Sequence, residues 1–134
     1  MIELSNTTAQ TLTTGQAITF DKVMFKSGCG ECHRTASSSV KLRANGTYEI
    51  AFSGNIGADA ATTAAQLTIQ LGGESLFDGT MISTTAAVGD LNNVSKTVGV
   101  RNCCGDYDRV TIVNTGTSTV TVGAGASLFI KRVS

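Results

Sequence analysis

The segment TYEIAFS (Thr47–Ser53) sets Tyr48, Ile50 and Phe52 two residues apart, with Glu49, Ala51 and Ser53 between them. A two-residue period is that of a β-strand, whose successive side chains leave opposite faces; a helix would need apolar residues every three or four positions. The alternation recurs with Ile18 and Phe20 in AITFDKVMF, Val40 and Leu42 in SVKLR, and Leu67, Ile69 and Leu71 in QLTIQLG. It continues in SKTVGVR, DRVTIVNTG, STVTVGA and ASLFIKRV. Clusters of Gly, Asn and Ser punctuate these runs at the spacing of a sandwich. Eight or nine strands are predicted. GADAATTAAQ has neither a capping box nor an apolar stripe and reads as a loop into the Leu67 strand. NTGTSTVTVG reads as a hairpin around Gly116, flanked by Val113 and Val120.

Twenty threonines suit the pleated surface of a sheet, and fifteen glycines supply its turns. A chain of 134 residues is one domain in length. Ten basic and ten acidic side chains cancel, and no run of like charge exists, so nothing favours nucleic acid or an anionic membrane. No stretch of about eighteen apolar residues offers a membrane-spanning helix. The start, MIELSNTTAQTL, lacks the charged n-region and apolar h-region of a secretory signal, so synthesis in a cytoplasm is expected. Charged residues are only 15% of the chain, which points to a surface partly covered by partner subunits or kept wet by hydroxyls and amides.

The order of TFDKVMF, NGTYEIAFSGNI, LTIQLGG and RVTIVNTGTSTVTVGAGASLFIKRV resembles the C1q/TNF-like jelly roll. The bacterial and phage branch is the nearest in flavour, as in the C-terminal domains of collagen-like spore-surface glycoproteins. The resemblance runs from Gln16 to Val133; residues 1–15 read as an N-terminal arm or short edge strand and residues 16–134 as the jelly-roll domain. It implies two five-stranded sheets packed face to face and a homotrimer in which one sheet also packs about a threefold axis. Under that reading Ala51, Ser53 and Phe129 are the trimer-interface candidates, because they alternate with core positions and are small or apolar. Glu49 shares their face and needs a partner or a place at the rim.

The absence of a Gly-X-Y stalk points away from a spore filament and toward a phage virion protein, a capsid decoration or a head-fibre head. The expected partners are a second and third copy of the chain, a capsid protein, or a ligand on a host surface. A bacterial cell- or spore-surface domain of the same fold is the alternative.

SGCGECHRTAS, from Ser27, holds Cys29, Cys32 and the one histidine, His33; Cys103 and Cys104 lie in VRNCCGDYD. Haem attachment through C-x-x-C-H would need a large apolar pocket, which this composition does not supply. A thioredoxin-like pair needs a helix N-terminus after the motif, and none follows. Two readings stay open: a zinc site from Cys29, Cys32, Cys103 and Cys104, with His33 as a substitute ligand, or disulfides. A bridge between the two segments closes a loop of about seventy residues, worth roughly 4 kcal/mol in the chain-entropy model. Both readings require the segments to meet. A catalytic zinc or redox protein is the remaining functional alternative. Asp106 and Asp108 read as a solvated turn or a calcium pair. With one histidine and no phosphate loop, no catalytic set emerges, and a non-enzymatic role is expected.

Overall fold

A computed structural model describes residues 1–26, 31–33, 39–42, 46–60, 63–87, 89–102 and 108–133. These residues are all β, in twelve strands: β1 Ile2–Ser5, β2 Gln10–Leu12, β3 Lys22–Lys26, β4 Glu31–His33, β5 Val40–Leu42, β6 Gly46–Ala58, β7 Ala64–Leu71, β8 Glu74–Thr84, β9 Asn92–Asn102, β10 Asp108–Asn114, β11 Val120–Val122 and β12 Ser127–Arg132. One sheet has seven strands. β9, β6, β12, β1 and β3 lie side by side in it, and the far end of β6 pairs with β11, which pairs with β2. The other sheet has five, in the order β4-β5-β10-β7-β8.

The seven-stranded sheet departs from the five strands expected, and the reason is the length of β6. Its thirteen residues give one edge room for two partners, β12 against Tyr48–Ser53 and β11 against Ile56–Ala58. β11 and β12 are one strand interrupted. Gly125, at φ +86°, takes the left-handed conformation that only glycine adopts without strain. The Gly125 amide donates to the Asn6 carbonyl, and the Asn6 side chain accepts from the Ala126 amide at 2.8 Å.

The alternation read from sequence sets the core. Tyr48, Ile50, Phe52, Leu67, Ile69, Ile112, Leu128 and Ile130 meet between the sheets with essentially no exposure. Burial of this many large side chains is the main stabilising term, at roughly 1.5–3 kcal/mol for each one fully buried. Residues 1–15 supply β1 and β2. Ile2 and Leu4 are fully buried, and β1 pairs with β12 on one side and β3 on the other.

Two local readings change. AITFDKVMF is not one strand. Ile18 bonds to Ile112 of the five-stranded sheet, and the chain then crosses to form β3 in the other. The Gly116 turn is not a hairpin, because β10 belongs to the five-stranded sheet and β11 to the seven-stranded one. Alternation is local, whereas the choice of strand partner is not. Asn114, fully buried, holds this crossover. Its Nδ2 donates to the carbonyls of Leu12 at 3.0 Å and Ser118 at 2.8 Å, and its Oδ1 accepts the Gly116 amide at 3.0 Å. That arrangement leaves no buried amide group of the side chain unpaired.

Candidate functional site

The outward face of the seven-stranded sheet is built by the residues that alternate with its core. Ile50, Phe52, Leu128 and Ile130 point inward, so Ala51, Ser53, Ser127 and Phe129 point out. Strand register then aligns them. Thr97, Ala51, Phe129, Glu3 and Phe25 form one row across five strands. Ser95, Ser53, Ser127 and Ser5 form the next, and Lys22 ends it. On the other side Gly99, Glu49 and Lys131 are in register.

Around Ala51, Ser53, Ser95 and Ser127 these rows are shallow, whereas Glu3, Lys22, Glu49 and Lys131 bring longer side chains to the same rows. Serine, alanine, glycine and threonine project little above the backbone, so another sheet or subunit can approach closely. Phe129, half-buried, is the large apolar group among the small ones. Glu49 is exposed, and its register partner on β12 is Lys131. The three interface residues expected from sequence, Ala51, Ser53 and Phe129, therefore share one face, and register brings Ala51 and Phe129 side by side.

Sequence reasoning missed Leu91. It sits at the end of this face, 40% exposed, with its methyls 3.2 Å and 3.1 Å from where a Cβ on Gly57 or Gly123 would lie. Gly57, paired with Thr121, and Gly123, whose amide donates to the Asn55 carbonyl, were the available signal. It also missed the serine row, because Ser5, Ser53, Ser95 and Ser127 become neighbours only through pairing.

The second candidate is the cysteine-bearing end. Cys29, Cys103, Cys104 and Asp106, and the side chains of Cys32, His33 and Asp108, lie outside the described residues. The backbone around them is placed. Glu31 and Asp108 flank Leu42 from opposite sides, in register with it, and Cys32 and Arg109 flank Lys41 in the next row. Asn102, the last residue of β9, reaches across from the other sheet, and its Nδ2 donates to the Leu42 carbonyl at 3.0 Å. Among the described residues, no three His, Cys, Asp or Glu side chains gather as metal ligands.

No protein-family model and no curated protein sequence matches this chain. Solved structures do. An insect TNF, Eiger from S. frugiperda, superposes with a TM-score of 0.75 at 9% identity over 99% of this chain and 91% of its own. Murine APRIL at pH 5.0 gives 0.67 at 14% identity, over 97% and 96%. The fold is the C1q/TNF-like jelly roll. The globular domain of the zebrafish complement 1qA protein agrees, at 0.61 and 11% identity, over 96% of this chain and 94% of that one. Identities this low speak for the fold alone, since one jelly roll hosts many functions.

Proposed function

We propose that this protein is a non-enzymatic structural and interaction module that works as a homotrimer on a phage particle, as a capsid decoration or head-fibre domain. One observation carries the self-association: on the outward face of the seven-stranded sheet Ala51, Ser53 and Ser127 put small side chains beside Phe129, which favours close approach by another copy. The C1q/TNF-like fold supports a threefold arrangement about that sheet, and cyclic closure leaves no growing edge. The low charged fraction fits a surface partly covered by partner subunits. The virion setting rests on the sequence resemblance to the bacterial and phage branch of the fold.

Light scattering of the purified protein at micromolar concentration tests the assembly. The chain mass is 13.8 kDa; a trimer gives about three times that value, and a mass near the single chain removes the reading. Incubation of the trimer with phage capsids lacking it, followed by imaging, tests the setting: threefold density on the capsid is expected, and bare capsids overturn it.

A further inference from the structure

Lys41 on β5 and Arg109 on β10 are direct register partners. Both belong to the outward face of the five-stranded sheet. Val40 and Leu42 on either side of Lys41, and Val110 beside Arg109, enter the core, so the residues that alternate with them point the other way. Opposite positions of an antiparallel pair hold their Cβ atoms about 5 Å apart, a distance at which two like charges repel. Arg109 leans along the sheet: its Nη1 donates to the Ser39 Oγ at 3.2 Å, two residues before Lys41. The same face continues across the next strands. Thr111, two residues beyond Arg109, is the partner of Gln70 on β7. Gln70 in turn is the partner of Ser75 on β8, and its Nε2 donates to the Ser75 Oγ at 3.2 Å. Arg109 and Ser75 are exposed, and the other four are half-buried. From β5 to β8 this strip spans about 14 Å, with two cations at one end and hydroxyl and amide groups along it. Glu74 stands two strands away from Arg109, in the neighbouring row.

We propose that this strip binds a glycan that carries phosphate groups; the inference rests on the reading of the protein as an interaction module and names the class of its partner. Two cations in register match a phosphate monoester, whose charge is about −1.5 to −2 near neutrality, better than they match a single carboxylate. The planar fork of Arg109 suits two phosphate oxygens at once, and Lys41 supplies a point charge beside it. The hydroxyls of Thr111 and Ser75 and the amide of Gln70 both donate and accept, as a sugar's own hydroxyl groups require. A peptide in extended form adds to a sheet edge, whereas β5, β10 and β7 are interior strands of the order β4-β5-β10-β7-β8. Single-stranded nucleic acid needs aromatic faces for its bases, and the described residues of the strip offer none. The two sheets pack face to face, so this surface is turned away from the one around Phe129. A trimer would present three strips outward and strengthen attachment to a repeating glycan.

The test passes the full-length protein over immobilised phosphomannan, with unphosphorylated mannan, polyglutamate and a single-stranded oligonucleotide as comparison surfaces. Binding to phosphomannan is expected to be tighter than to each of the other three by about tenfold or more. Comparable binding to mannan overturns the proposal, as does comparable or tighter binding to polyglutamate or the oligonucleotide. The Lys41→Gln/Arg109→Gln variant should weaken the phosphomannan complex by more than about tenfold. Lys26→Gln/Lys96→Gln removes the same charge elsewhere and should bind as the wild type does; equal losses in the two variants overturn the proposal. Nuclear magnetic resonance of the wild type decides where the first variant fails to fold. Titration with mannose 6-phosphate should shift the amide signals of Ser39, Lys41, Arg109 and Thr111, and shifts confined to other residues, or none, overturn the proposal. These readouts are separate from the assembly. A single-chain mass with the shifts intact removes the trimer alone, and a trimer without the shifts removes the glycan site alone.

Discussion

Ala51 on β6 and Phe129 on β12 are direct cross-strand partners on the outward face of the seven-stranded sheet. The small side chain of the one lies beside the half-buried ring of the other, on the face proposed to meet another subunit.

Replacing Phe129 with Asp is expected to convert the trimer to single chains. Its neighbours on both flanking strands, Ala51 and Glu3, offer no cation to pair with the new charge. Three such charges brought together and desolvated would cost several kcal/mol. Light scattering should show the single-chain mass, with the far-ultraviolet circular dichroism of the sheets retained. A trimer that persists in the variant speaks against this face as the interface.

Asn114→Ala should destabilise the fold by about 3 kcal/mol, since it strips partners from two carbonyls and one amide in a fully buried place. The urea midpoint should fall with the slope unchanged. A loss under about 0.5 kcal/mol would mean that the crossover is held by its backbone alone.

Gly57 and Gly99 make a matched pair on the outward face. A Cβ at Gly57 would lie 2.2 Å from the Asp90 carbonyl oxygen, so Gly57→Ala must push back the turn that carries Leu91. The expected cost is about 2 kcal/mol. Nothing lies within 4 Å of a Cβ at Gly99, and Gly99→Ala should leave the thermal stability of the dissociated chain within about 0.5 kcal/mol of wild type. Equal losses in both variants would contradict the packing around Leu91.

Asp21 links its loop to the start of the chain. Its carboxylate accepts the Thr7 hydroxyl and the Thr7 amide, and these two bonds, in that order, hold its pKa below the ordinary 3.8. The folded state therefore binds this proton less readily than the unfolded chain. The contribution is present above the unfolded pKa and is lost as pH falls through the lower folded value. The wild-type advantage in Tm over Asp21→Asn should thus be constant near neutrality and shrink as pH drops below about 4. The group is fully exposed, so the effect is small, and a difference that does not change with pH would assign it to packing.

Much of the core was legible because alternation is a property of a single strand. Tyr48, Ile50, Phe52, Leu128 and Ile130 lie where their spacing places them, and Ala51, Ser53 and Phe129 fall on the opposite face for the same reason. β8 was harder to see. It lies at a sheet edge, where Ile82 is 60% exposed while Ser83 beside it is buried, so the alternation is blurred. β1, β2 and β4 have only three or four residues, too few to show a period. Asn6, Asn102 and Asn114 look from sequence like turn residues, yet each is buried and bonds to backbone far along the chain.

The sequence by itself determined that the chain is all β, which side chains enter the core, and that four thiols must find partners or stay free. Those follow from the pleat and from chemical identity, both fixed residue by residue. Only the tertiary structure decided that Gly116 turns between sheets, that four serines line up, and that Glu31 and Asp108 flank Leu42. Pairing joins residues up to a hundred positions apart, and the free energy that selects one pairing comes from burying the assembled core, which no short window of sequence contains.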